Sequence, residues 1–286
     1  MRGTHREQRL LVMPAVIAIL IIGVTPILLQ IYISLHDYYM GVPGQSRRFV
    51  GMRNYADLLR SPSFSNSLYL TVVFTMVVTI ASLILGLGMA MLIHRDFRFK
   101  TVVITSVLIP QTISPSILGL IWKLMYNAEY GIFNYFLKPF GLEQTWLGRD
   151  LAFFSTTIAS IWMATSFMTL VCLAGLQNLP EDVFEAARID GATQVQAFRY
   201  ITLPLLKPVI GMAVLLQQVA CLHIFGIIYI LTGGGPGERT NLLAMEVYRQ
   251  GLNAGFVGYG AAVATVLALL AFIISLVFIK MMGDAF

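Results

Sequence analysis

Six long apolar runs leave this chain few ways to fold. They occupy about Leu10 to Leu35, Ser67 to Ile93, Thr101 to Trp122, Leu151 to Leu176, Leu205 to Thr232 and Val257 to Ile279. A helix rises about 1.5 Å per residue, so about 20 apolar residues cross ~30 Å of hydrocarbon, and each run is that long. Backbone groups in lipid find no water and must bond within a helix or a closed barrel. Runs this continuous predict helices, so the expected fold is an all-α integral membrane protein with six transmembrane helices. Composition agrees: 57% of residues are hydrophobic and only 12% charged, against about 25% charged in an ordinary soluble domain. The formal net charge of +5 resides in loops and tails, which fits lipid headgroups as the partner, not nucleic acid. Cys172 and Cys221 fall inside apolar runs and read as small buried hydrophobes.

Six crossings put both termini on one side, together with the loop His94 to Lys100 and the segment around Glu185. Arg2, Arg6 and Arg9 precede the first run, and Arg95, Arg98 and Lys100 crowd a short loop, so this side is expected to be cytoplasmic. The first run is too long for a signal-peptide core and is read as an anchor. On the opposite side, Asn54 to Leu59 predicts a short interfacial helix. Thr232-Gly233-Gly234-Gly235-Pro236 predicts a break, and Leu242 to Gln250 a short helix on the membrane surface. Two regions follow: residues 1–66, an anchor helix with its extracytoplasmic loop, and residues 67–286, the core.

Between the fourth and fifth runs lies the one long segment that is both amphipathic and charged. Asn178 with Glu181, and Thr193 with Gln196, each have capping-box spacing. They predict two short helices, about Leu179 to Asp190 and Gln194 to Leu203. Gly191 is placed to turn the chain after the first, and Pro204 to end the second. On the second, Val195, Phe198, Ile201 and Leu205 form an apolar face. This helix-turn-helix knob, at about residues 179–203, is a candidate working surface.

Chemistry of its own is hard to find in the chain. It has no Gly-rich phosphate loop, no His-Glu-x-x-His, no Gly-x-Ser-x-Gly, and no acidic residue, Lys or Arg in the middle of an apolar run. An enzyme or a proton-coupled pump is therefore not expected. His223, among apolar neighbours, reads as a hydrogen-bonded structural residue. Uncharged polar groups do lie at membrane depth. Gln111, Ser114 and Ser116 flank Pro110 and Pro115, which invite a kink in the third helix. Ser160, Trp162, Thr165 and Ser166 lie in the fourth, and Gln217 and Gln218 in the fifth. A buried amide without a partner costs several kcal/mol, roughly, so these groups need other helices, water or a ligand. Serine and threonine read first as interhelical glue. Gln111 and Gln217 fit either glue or a neutral polyhydroxylated solute.

Glu185-Ala186-Ala187, three residues, Gly191, nine residues, then Ile201-x-Leu203-Pro204 resembles the EAA motif of permease subunits of bacterial ABC importers. Phe49-Val50-Gly51, Asn54-Tyr55, Leu231 to Pro236 with Thr240, and Gly258-Tyr259-Gly260-Ala261-Ala262 are similar to segments of the carbohydrate-importing branch, of maltose and glycerol-phosphate type. The resemblance implies the type I (MetI-like) importer fold in the bacterial inner membrane. It also implies a second permease subunit, two ATPase subunits that hold ATP and Mg, and an extracytoplasmic solute-binding protein. No cofactor would be bound by this chain. Glu185, Ala186, Ala187, Asp190 and Gly191 would form the coupling joint to the ATPase. By the same resemblance, solute contacts fall on Ser160, Met163, Ala164 and Phe167, on Gln217, Cys221 and Ile224, and on Gln111 with Ser114 or Ser116. Ser160, Phe167, Cys221 and Ile224 stand where amides and tyrosines are usual, which implies a different or smaller sugar, or a site shared with the partner. The competing expectation is a self-contained secondary carrier or channel for a small neutral solute, which calls for broken helices in both halves.

Overall fold

The computed structural model describes residues 13–41 and 48–282. Arg2, Arg6 and Arg9 lie outside the described residues. The helices are α1 (Met13–Ser34), α2 (Arg53–Arg60), α3 (Pro62–His94), α4 (Lys100–Thr112), α5 (Pro115–Met125), α6 (Ile132–Leu137), α7 (Ala152–Gln177), α8 (Glu181–Ile189), α9 (Gln194–Leu222), α10 (Gly226–Leu231), α11 (Leu243–Glu246) and α12 (Val257–Met282). Helices α1, α3, α7, α9 and α12 are each long and apolar enough to cross a membrane, and the pair α4 and α5 counts as a sixth span if it is one bent crossing. The chain is a multi-pass membrane protein.

Two compact units divide the chain. The first holds the described residues up to Ser65 together with Glu246–Leu269. Here Asn54 Nδ2 donates to the carbonyls of Ser34 (2.7 Å) and His36 (3.0 Å), anchoring α2 against the end of α1. A two-residue ribbon pairs His36 with Phe49, and Gln30 donates to Thr265 Oγ1 at 3.2 Å, joining α1 to α12. The fully buried Glu246 accepts from Gln250 (3.0 Å) and Ser63 (3.4 Å). Leu242, Leu243 and Glu246 are all buried, so the segment expected on the membrane surface is instead interior to the protein. Its single acidic residue, Glu246, is satisfied by neighbouring hydrogen bonds.

The second unit, Asn66–Met245 with the segment from Leu270, carries the core. Helix α7 is its centre, with buried Ser155, Thr156, Thr157, Ser160, Thr165, Ser166 and Thr169. Five of these hydroxyls bond to the carbonyl four residues back in the same helix: Thr156 to Ala152, Thr157 to Phe153, Ser160 to Thr156, Thr165 to Ile161 and Thr169 to Thr165. For Ser160 and Thr165 the expectation that other helices, water or a ligand must serve them is therefore not met. A short side chain satisfied within its own helix needs no external partner and leaves a thin surface for neighbours. Helix α3 uses that surface, for a Cβ on Gly86 would lie 2.5 Å from the Met168 Cβ.

The third run does not merely kink. Between α4 and α5 the axis turns by 104° across Ile113 and Ser114. Pro110 stays inside α4, whereas Pro115 opens α5, where a missing N–H costs nothing. The fifth run is also interrupted, at residues 223–225, between α9 and α10. Helices α5 and α10 then pack closely: a Cβ on Gly119 would meet Ile227 and Ile230, and one on Gly226 would lie 2.9 Å from Ser116 Oγ.

Candidate functional site

The knob is built by three local devices. Helix α8 starts at Pro180 without a side-chain cap, and Asn178 donates instead to the Ala174 carbonyl at 2.7 Å. The expected Asn178–Glu181 capping box is therefore absent. Pro180 holds Leu179 away from helical geometry, and Asn178 is left to close the end of α7. At its other end α8 closes with two bonds, Ala192 N–H to the Ala187 carbonyl (2.9 Å) and Gly191 N–H to the Arg188 carbonyl (3.2 Å). This is the Schellman pattern, and it requires the left-handed conformation that Gly191 adopts at φ +74°. The second capping box is present: Thr193 N–H donates to Gln196 Oε1 at 2.8 Å, and Gln196 N–H to Thr193 Oγ1 at 3.3 Å.

Pro204 does not end the following helix. Residues Phe198–Thr202 adopt a wide π-helical turn, with Leu203 N–H bonded to the Phe198 carbonyl, and the chain continues helically to Leu222. Widening the turn shifts the hydrogen-bond register just before the proline, where its ring and missing N–H would otherwise stop the helix. Of the four residues expected to form one apolar face, Val195 and Leu205 are exposed, while Phe198 and Ile201 are half-buried. The knob and the membrane span are thus one helix. Glu185, Ala186, Asp190 and Gly191 are exposed and Ala187 is buried. A shallow hollow lies beside the turn, lined by Asp190, Gly191, Gln196, Ala197 and Tyr200. Arg95, from the loop between α3 and α4, donates to Gln194 at 3.4 Å.

The membrane-depth candidates fall into two groups. Met163, Ala164, Cys221 and Ile224 come together in one apolar cluster with Trp122, Leu118, Phe74, Ile227 and Ile228. Ser160 is buried, Phe167 half-buried, and Gln217 is buried with its amide donating to Cys221 Sγ at 3.3 Å. Gln111, Ser114 and Ser116, by contrast, are exposed around the break between α4 and α5. Ser116 connects that break to the second interruption through Gly226. The Gln218 side-chain amide oxygen, Oε1, is buried without a hydrogen bond from any described residue. Lys123, not singled out from the sequence, donates to the Ile230 carbonyl at 3.0 Å and closes the far end of the α5–α10 pair. Gly226 within an apolar run was the available sign of the second interruption. Among the described residues no group of His, Cys, Asp or Glu has the arrangement of a metal site.

A multi-pass helical protein with no phosphate loop, presenting a rigid helical knob continuous with a membrane span, has the build of a permease subunit in a driven transporter. Comparison with known proteins agrees. The family described as "Binding-protein-dependent transport system inner membrane component" matches residues 82–282, and the chain belongs to it. It is 39% identical to the trehalose/maltose transport system permease protein MalF of Thermococcus litoralis, over 96% of this chain and 94% of that protein. It is 35% identical to the sulfoquinovosyl glycerol transport system permease protein SmoG of Agrobacterium fabrum, over 95% and 88% respectively. The fold matches a chain of a bacterial alginate ABC transporter with TM-score 0.85 and 21% identity, covering 99% of this chain and 97% of that one. A chain of the MetNI methionine ABC transporter matches at TM-score 0.58 and 18% identity, over 78% and 96%. The fold is that of ABC importer transmembrane domains, and the chain is a permease subunit, not itself an enzyme.

Proposed function

We propose that this permease subunit forms half of the pathway by which a sugar or related polyol is imported. It would pair with a second permease, two ATPase subunits and an extracytoplasmic solute-binding protein. ATP and Mg belong to the ATPase subunits, and this chain binds no cofactor. The α8 face would be cytoplasmic, with both termini on that side of a bacterial inner membrane. Glu185, Ala186, Ala187, Asp190 and Gly191 would engage the ATPase. The observation that carries this reading is the continuity of α9 from Gln194 to Leu222. A capped, closed knob rigidly joined to a span transmits a displacement that a loose loop would absorb.

The sugar class is supported by the names of the relatives and by uncharged hydrogen-bonding groups at the two helix interruptions: Gln111, Ser114 and Ser116 at one, and Gln217 and Gln218 ahead of the other. Ser160, Met163, Ala164, Phe167, Cys221 and Ile224 would shape the wall behind them. Import requires that solute and ATP bind the two states of the pathway with different affinity. A self-contained carrier gains one point from the structure, since the fifth run is interrupted as well as the third. Family membership weighs against it.

Reconstitution decides between them. Vesicles containing the chain with its partners should take up labelled disaccharide only when ATP and the binding protein are supplied. Uptake by the chain alone would overturn the assignment.

A further inference from the structure

We propose that the segment following α5 is a membrane-interface anchor. The outward face of α6 and the turn after it rest in the headgroup layer opposite α8, with Tyr135, Phe136 and Phe140 among the upper acyl chains and Lys138 on lipid phosphates.

The segment is held rigidly. Asn134 is buried and uses all four of its hydrogen-bonding positions. Its Nδ2 donates to the carbonyls of Ala128 (3.0 Å) and Gln144 (2.9 Å), and its Oδ1 accepts from Gln144 N–H (3.0 Å) and Trp146 Nε1–H (2.9 Å). Phe133 beside it stacks inward on Trp122 at 5.9 Å, with Tyr126 and Trp146 close by. The other face is equally apolar yet uncovered by the described residues: Tyr135 is 73% exposed, Phe136 63% and Phe140 75%. A helix that is apolar all round is a buried helix. Rings fixed outward in this number mark an interaction surface, because single exposed hydrophobes are common but a rigid cluster is not.

Its height identifies the cover. A Cβ on Gly131 would collide with the carbonyls of Met125 and Asn127, so the chain folds back directly over the end of α5. Tyr126 Oη donates to the Ser155 carbonyl at 3.0 Å, and Ser155 Oγ donates to the Trp146 carbonyl at 2.7 Å. Both ends of the segment are thereby fastened to the first turn of α7, a membrane span. The patch continues the lipid boundary and does not stand away from it. Tyrosine and phenylalanine with one long cationic side chain is the chemistry of that boundary, the rings just below the headgroups and the ammonium reaching outward.

The test uses the assembled transporter in vesicles. Phe136→Cys and, separately, Tyr135→Cys are labelled with a polarity-sensitive fluorophore, and Glu143→Cys serves as the water-facing control. Cys172 and Cys221 are buried and contribute little background. Lipids carrying a quencher just below the headgroup should quench the probes at 135 and 136 severalfold more than aqueous iodide does, with the reverse at 143. Iodide quenching at 135 and 136 equal to that at 143 would overturn the proposal. So would shielding from iodide that appears only when the binding protein is added, or lipid quenching seen for the isolated chain and lost in the complete transporter. Either result would assign the face to a protein partner.

Discussion

Gly191→Val separates backbone strain from contact at the knob. At φ +74° an L-residue costs about 1–2 kcal/mol, and a β-branched one more. Among the described residues, chain neighbours aside, no atom lies within 4 Å of a Cβ built there, so the cost of adding the Cβ is conformational. An energy of about 1–2 kcal/mol changes a two-state population by a factor of about 5–30. The Schellman bonds of Ala192 and Gly191 are what that population measures. Membrane insertion should be intact, because α7 and α9 gain no new contact. Binding-protein-stimulated ATP hydrolysis and uptake in reconstituted vesicles should fall by roughly that factor. The series Gly191→Asn, Gly191→Ala, Gly191→Val supplies the check. Asparagine tolerates the left-handed region and should lose least, valine most. Unchanged uptake in Gly191→Val, or equal loss in Gly191→Asn, would refute a backbone role and point to a partner surface that admits no side chain.

Removing the cap with Thr193→Ala should cost about 1 kcal/mol locally; amide exchange at Gln196 should quicken while Thr193→Ser stays near native. Gly86→Val should lower the melting temperature of the purified transporter, since its Cβ would lie 2.5 Å from the Met168 Cβ and overpacking costs about 1–3 kcal/mol. Gly88→Val, where a Cβ meets no other described segment within 4 Å, should leave it unchanged. Asn134→Leu strands the Trp146 and Gln144 N–H groups, about 1–3 kcal/mol each when buried, and should lower the melting temperature more than Gln144→Ala, whose side chain makes one long bond, to the Leu142 carbonyl at 3.4 Å, among the described residues. Gly175→Leu should slow uptake more than it reduces folded protein, because a Cβ there already lies 2.9 Å from Leu206 and Val209 on α9. Uptake that merely tracks the folded amount would contradict that.

Legibility in the sequence followed the range of the forces involved. Membrane spans are set by local apolar length, and the six runs locate them. Gly191 and the Thr193–Gln196 box are likewise decided within a few residues. Asn178 was misread because its side chain can serve either the helix behind or the helix ahead, and Pro180 settles that choice through backbone geometry. Pro204 was misread because a π turn can carry a proline into a helix, which neither propensity nor spacing encodes. The interruption at residues 223–225 has no proline and sits in a largely apolar run, with His223 as its one ionisable residue. It is defined by Gly226 and Gly119 bringing α10 onto α5, a contact between segments far apart in the chain. At the candidate pathway the residue types were visible, but the direction each faces was not. Gln217 turns to Cys221, while Gln111 stays outside the core.

The two corrected readings, at Pro204 and at residues 223–225, belong to one physical argument. Had Pro204 ended the second knob helix, a displacement at Gly191 would have died in a flexible joint before reaching the membrane. Because the π turn carries the helix through, the next place where the backbone leaves helical geometry is after Leu222. Helix α9 is 29 residues long, about 44 Å at 1.5 Å per residue, and its helical geometry continues through the π turn and Pro208, so on the proposed reading a movement imposed near Thr193 would be carried along one continuous helix. The site of delivery is the interruption that Gly226 packs against Ser116, beside the 104° break of α4 and α5. Non-helical backbone at that depth is tolerated only where protein or a watery cavity covers it. The two breaks therefore adjoin where helix α9 ends, and there the chain carries polar groups, Gln111, Ser114 and Ser116, that its own core leaves exposed.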